Sequence, residues 1–125
     1  MLIDTSVLID HRRSAANAVR YVEPLVARGL VVAHPVVVFE LLAGVRSKAD
    51  FDATRVQVST MKRAAVRDAD FLVAQKFLES IGRSHGVGWP DCLIAATALR
   101  MRLPLVTLNG RHFSHFRGLK VIVPY

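Results

Sequence analysis

Short apolar runs exchange with amphipathic stretches along the whole chain, and this pattern predicts strands alternating with helices. Met1 to Asp4 is an apolar run ending on a carboxylate and reads as a short buried strand. Ser6 to Asp10 begins a helix or turn, with Ser6 or Thr5 as its cap. From Ala15 to Arg28, Ala18, Val22, Leu25 and Val26 share one helical face, and Gly29 is placed to end it. Leu30 to Ala33 reads as a second strand. Pro35 suits the first turn of a helix running to Leu42 or Ala43 and ended by Gly44. Val36 to Phe39 has competing strand propensity. Pro35 would break a central strand, however, and Glu40 to Gly44 finishes like a helix.

Ala49 to Thr60 and Asp68 to His85 read as two further helices, joined by the basic stretch Met61 to Arg67. In the second, Phe71, Leu72, Ala74, Phe77, Leu78 and Ile81 form a broad apolar face, and its end runs into a glycine-rich loop, Gly82 to Gly88. Asp91 to Met101 is the clearest helix, with Pro90 at its first position and Pro104 beyond its end. Leu105 to Leu108 and Lys120 to Val123 are the last strands. The expected fold is a three-layer α/β/α sandwich with a short, mainly parallel central sheet. At 125 residues the expectation is one domain, residues 1–125, with no repeat, linker or low-complexity segment.

Composition narrows the class. Hydrophobic residues make up 52% of the chain, which excludes disorder. No apolar run approaches the roughly 20 residues that span a bilayer. Asp4 and Asp10 stand where a signal peptide would be apolar, so a soluble cytoplasmic protein is expected. The single Cys92 permits no internal disulfide and no zinc pair, and reads as a buried, inert thiol. Net charge is +7, an excess that favours polyanionic partners.

Against that basic background, three carboxylates occupy unusual positions. Asp4 follows Met-Leu-Ile, Glu40 follows Val-Val-Val-Phe, and Asp91 opens Cys-Leu-Ile-Ala-Ala. Burying a carboxylate among apolar neighbours is expensive unless its charge is compensated. Convergence on a hard divalent cation such as Mg²⁺ explains all three at once. In open α/β sheets the site forms where strands end and helices begin, and Asp4, Asp91 and Asn109 all fall on that rim. Taken singly, Asp4 is as readily a helix cap, and Asp91 more readily a partner of the helix dipole. Mid-helix Glu40 has no such explanation. Asp10, Asp50, Asp52, Asp68, Asp70, Glu23 and Glu79 read as surface or capping charges, with Asp10 a minor candidate to support Asp4 from behind the ligands.

The same residues resemble the motifs of PIN-domain ribonucleases. Ile3-Asp4-Thr5-Ser6 is similar to the first, Glu40-Leu41-Leu42-Ala43-Gly44 to the second, Pro90-Asp91-Cys92-Leu93-Ile94-Ala95-Ala96 to the third, and Val106-Thr107-Leu108-Asn109-Gly110-Arg111-His112-Phe113 to the fourth. The length and the Asp-Thr-Ser opening are most similar to VapC-type toxins of type II toxin–antitoxin pairs. The resemblance implies that Asp4, Glu40 and Asp91 are catalytic and bind metal, with Asn109 a further ligand position where relatives have Asp or Asn. It implies Mg²⁺, with Mn²⁺ as an alternative, and hydrolysis of RNA by metal-activated water. Thr5 and Ser6 are expected to hydrogen-bond a site carboxylate or a metal-bound water. A cognate antitoxin, whose Arg reaches the acidic site, and a homodimer are also implied.

Arg46, Lys48, Arg55, Lys62, Arg63 and Arg67 cluster in the middle helices, and Arg46, Lys48 and Arg63 are the candidates for an RNA path. The five histidines lack an i, i+4 pair, which disfavours zinc and leaves phosphate contact for some. Trp89 is expected to pack. The alternatives are a non-catalytic RNA-binding or assembly module and a phosphoacceptor receiver domain, the latter disfavoured by Ser6 and the basic charge.

Overall fold

The computed structural model describes all 125 residues. Five parallel two-residue strands form one sheet: β1 (Leu2–Ile3), β2 (Val32–Ala33), β3 (Lys62–Arg63), β4 (Leu105–Val106) and β5 (Val121–Ile122), in the order β3-β2-β1-β4-β5. Parallel neighbours require crossovers, and helices supply most of them. These are α1 (Thr5–Arg12), α2 (Ala16–Ala27), α3 (Pro35–Ala43), α4 (Lys48–Ser59), α5 (Asp68–Phe77), α6 (Arg83–His85), α7 (Trp89–Met101) and α8 (Gly110–Phe113). Leu2 pairs with Val32 on one side and with Leu105 on the other, so β1 is central and both its residues are fully buried. Strand order reverses at β1: β2 and β3 lie on one side, β4 and β5 on the other. A crevice therefore opens beyond the ends of β1 and β4, where ligands of such sheets bind.

The α/β sandwich matches the expected class, and α3 ends at Ala43 as its Pro and Gly signals require. Several details differ. Strands are shorter than the apolar runs suggested. The basic stretch Met61 to Arg67 contains an edge strand, β3, whose two residues are both exposed. The long helix from Asp68 is interrupted by a π-helical turn, Leu78–Gly82, before α6. α7 begins two residues early, at Trp89. Neither Thr5 nor Ser6 caps α1, because Asp4 takes the cap position. Trp89, expected to pack, is 60% exposed.

Residues Cys92 to Ala98 are buried without interruption, so α7 is enclosed on all sides, and Cys92 is buried as expected. α5 packs along it. Between them lies a polar network that the sequence did not suggest. Asp70, expected at the surface or as a cap, does cap α5 by accepting from Arg67 N at 3.0 Å, yet it is buried. Arg100 grips both its carboxylate oxygens, Nε at 2.7 Å and a terminal nitrogen at 2.9 Å. Thr97 Oγ1 donates to Asp70 at 3.2 Å and lies 3.1 Å from Nε2 of the fully buried His34. His34 Nδ1 accepts from Val36 N at 3.0 Å and so caps α3. The network thus ties the helix of Glu40 to the helix of Asp91.

Candidate active site

β1 delivers Asp4 to the crevice, because the Asp4 amide still donates to Val106 O at 2.9 Å while its side chain turns past the strand end. Its Oδ2 accepts from Ser6 Oγ and from Thr107 Oγ1, each at 2.8 Å. Thr107 is fully buried just beyond β4, and its hydroxyl also accepts from Asn109 N at 3.0 Å. Ser6 Oγ in turn accepts from Leu108 N at 3.1 Å. Two short hydroxyl residues therefore lock the β1 and β4 ends together around one carboxylate. Thr107 was not singled out in the sequence, where its only signal is its place between the strand and Asn109.

Glu40 comes from the second turn of α3, on an exposed face, and its Oε2 accepts from Thr5 Oγ1. The residue next to Asp4 thus draws Glu40 across the rim. Asp91 sits in the first turn of α7, where the helix dipole favours a carboxylate. Its carboxyl is nevertheless pushed up to about 6. Burial is the main cause, opposed by His112 and reinforced by the charges of Asp4 and Glu40. The charges of Asp4 and Glu40 thus both bear on Asp91.

His112 Nε2 lies 3.5 Å from Asp91 Oδ2, and it is buried with no hydrogen-bond partner. Its Nδ1 is 2.8 Å from Asn109 Nδ2. The amide donates there, and Nε2 faces the Asp91 carboxylate without forming a hydrogen bond. Gly110, between Asn109 and His112, opens α8 against β5: a Cβ there would stand 2.4 Å from Val123 Cγ2. Arg46, Lys48 and Arg63 make no hydrogen bond or ion pair with the acids. Lys48 is 3.0 Å from Asp52 on its own helix, and Arg63 ends the edge strand two strands away. As the side chains stand, no three acidic, His or Cys groups close into a ligand set.

The PIN domain sequence profile matches residues 1–119. The chain belongs to the PIN domain family. It is 34% identical over 121 residues to Ribonuclease VapC19 of Mycobacterium tuberculosis, covering 95% of this chain and 96% of that one. It is 32% identical over 124 residues to Ribonuclease VapC10 of the same organism, covering 96% and 90%. The resemblance to VapC-type PIN proteins expected from the four motifs is thereby borne out. Its fold is similar to that of a toxin–antitoxin complex from Klebsiella pneumoniae, with TM-score 0.79, 24% identity and coverage of 99% and 97%. It is also similar to VapBC2 from Rickettsia felis bound to a promoter DNA fragment, with TM-score 0.81, 20% identity and coverage of 97% and 96%. No helix in the chain is long and apolar enough to cross a membrane.

Burial gives this PIN domain two opposed proton linkages. His34 is pulled down to about 4 by burial, with the Asp70 charge opposing. Folding therefore favours its neutral form, and its contribution to stability is lost as pH falls from about 6.5 to 4. Asp91 is raised, so the stability it contributes is present below its ordinary 3.8 and lost as pH rises to about 6. In metal-free protein the two slopes offset one another over the same interval. Asp91→Asn is expected to unmask the rise with pH, and His34→Asn to unmask the fall. Chemical denaturation in EDTA across this range is the measurement, and parallel profiles for all three proteins would reject the linkage.

Proposed function

We propose that this protein is an endoribonuclease dependent on a divalent cation, Mg²⁺ or Mn²⁺, and that it is the toxin of a toxin–antitoxin pair. The observation that carries the reading is the grouping of Asp4, Glu40 and Asp91 at the switch point of a PIN-domain sheet, where burial and then the charges of Asp4 and Glu40 disfavour an ionised Asp91. The relatives named ribonucleases and the fold likeness to toxin–antitoxin complexes support it.

The donor chemistry fits a hard cation: carboxylate oxygens from Asp4, Glu40 and Asp91, with the amide oxygen of Asn109 at the margin. A divalent cation would offset both the burial penalty and the smaller repulsion that raise Asp91. When bound, such an ion acts as a Lewis acid and lowers the pKa of water at neutral pH. The chain's own work is positional. Ser6 and Thr107 fix Asp4, Thr5 ties Glu40 to the same rim, and His112 offsets part of the Asp91 charge. The basic excess, including Arg46, Lys48 and Arg63, draws RNA to the surface by long-range attraction. The test is cleavage of RNA with Mg²⁺ or Mn²⁺ against the same protein in EDTA. RNA binding without cleavage under any of these conditions would favour the non-catalytic module instead.

Exposed apolar side chains support assembly. Phe71, Leu72 and Trp89 are all more than half exposed, and Phe39, beside Glu40, is 68% exposed. Such surface marks protein contacts. A homodimer in isolation is expected, with a cognate antitoxin covering further surface and competing with metal at the acids. Light scattering at micromolar concentration is the check, and a monomer would refute the dimer.

Asn109 supplies no charge where a carboxylate would add a full unit of attraction for a cation. Asn109→Asp is expected to lower the metal concentration needed for half-maximal cleavage, and Mn²⁺ to outperform Mg²⁺ in the natural chain. An unchanged midpoint in a metal titration of cleavage would remove position 109 from the site.

A further inference from the structure

Beside the carboxylates lies a second cleft, of about 470 Å³, walled by Ser84, His85, Asn109, Arg111, His112 and His115. Every lining residue is polar and none is acidic, and one of them, His112, has its Nε2 3.5 Å from Asp91 Oδ2. His85, at the end of α6, and His115, after α8, stack face to face with ring centroids 3.9 Å apart and planes within 11°. The π-helical turn Leu78–Gly82 precedes the short helix that carries His85 to this position. Arg111 forms no ion pair within the protein, so its guanidinium is free for an external anion. Crowded positive groups also penalise one another: local desolvation and then the neighbouring His85, His112 and Arg111 hold His115 below the ordinary histidine range.

We infer that this cleft is an RNA-backbone subsite, in which Arg111 with the stacked His85 and His115 holds a phosphate other than the scissile one. The inference rests on the ribonuclease reading and extends it to the path of the strand. The carboxylates repel phosphate on their own, so a strand lying over them needs cationic purchase on adjacent ground. His112 lines this cleft and also reaches Asp91, and Asn109 is held to His112 at 2.8 Å, so a phosphate here is next door to the acids. The cleft offers a guanidinium fork and imidazole N–H donors to phosphate oxygens, contacts that position a strand without reading its sequence. Arg111 thus acts as a positioning residue for substrate rather than on the reacting bond.

The experiment measures anisotropy of a short fluorescein-labelled single-stranded RNA with the full chain in EDTA, over a NaCl series. Wild type is compared with Arg111→Ala, Arg111→Lys and the double variant His85→Ala/His115→Ala. All three positions are solvent-exposed, and melting curves confirm that each variant folds. Arg111→Ala is expected to weaken binding roughly tenfold, the loss of one charge-assisted contact, and to reduce the log–log salt slope by about 0.7. Arg111→Lys should keep the slope, and the double variant should weaken binding in the same sense. In Mg²⁺ the losses should enter KM, leaving kcat nearly unchanged. If every variant cleaves RNA with wild-type KM and salt slope, the subsite is overturned while the ribonuclease reading stands. A loss confined to kcat would also overturn it, by placing these residues at the reaction centre. If wild type neither binds nor cleaves RNA, both readings fall together.

Discussion

Asparagine in place of Asp4 or Asp91 is expected to abolish metal-dependent RNA cleavage while leaving the fold intact. Each substitution keeps the size of the side chain and an acceptor oxygen, so Ser6 and Thr107 retain a partner at position 4. What is lost is one unit of negative charge at the place where the proposed cation would be held. Lewis-acid stabilisation of the reacting phosphate is worth several kcal/mol, so a fall in rate of at least about a hundredfold is expected.

Stability should move the other way at position 91. Burial and the neighbouring acids make the ionised form of Asp91 unfavourable in the metal-free fold, and the neutral amide of Asp91→Asn removes that penalty at neutral pH. Loss of activity together with a retained or raised melting temperature separates a site residue from a structural one. An Asp4→Asn protein that still cuts RNA at saturating Mg²⁺ would sink the assignment of the site. So would wild-type activity that survives EDTA.

The positions of the candidate site residues were legible because each carries a local signal. Asp4 ends an apolar run, Glu40 sits between Pro35 and Gly44, and Asp91 follows Pro90, so each acid could be placed on an element without knowing its neighbours. The parallel sheet followed from strand–helix alternation. What stayed hidden depends on contacts distant in sequence or on elements too short for periodicity. β3 is two exposed basic residues paired to β2 only through backbone, so no apolar alternation marks it. α8 is a single turn. Thr107 is one threonine among several until the fold brings it 103 positions back to Asp4. Asp70 looked like a cap and is one, but Arg100, 30 residues on, is what lets it be buried. Trp89 begins α7 on the outside, and no local pattern tells an exposed aromatic from one in the core.

The largest expected loss of stability lies in that buried network. Asp70→Ala removes the partner of both Arg100 contacts, the acceptor of Thr97 Oγ1 and the cap on Arg67 N in one step. Removing one member of a buried ion pair costs about 3–5 kcal/mol, because the other charge is left without compensation. Arg100 is 25% exposed at its side chain, so water reaches part of it, and the lower end of that range is the expectation. The pH dependence is distinctive. Burial raises the Asp70 carboxyl, but the Arg100 hydrogen bonds, the Arg67 amide and Thr97 outweigh it and hold the group below its ordinary 3.8. Its contribution is therefore complete above that value and is lost as pH falls from it through the lower folded-state value. The gap in unfolding free energy between wild type and Asp70→Ala should stay constant from about pH 7 to 5, then narrow in acid. Because the network also joins the helices of Glu40 and Asp91, cleavage by Asp70→Ala at a temperature where it remains folded should fall through misplacement of the acids. A variant that melts like wild type, or a gap that widens in acid, would show that the Asp70–Arg100 pair does not hold α5 to α7.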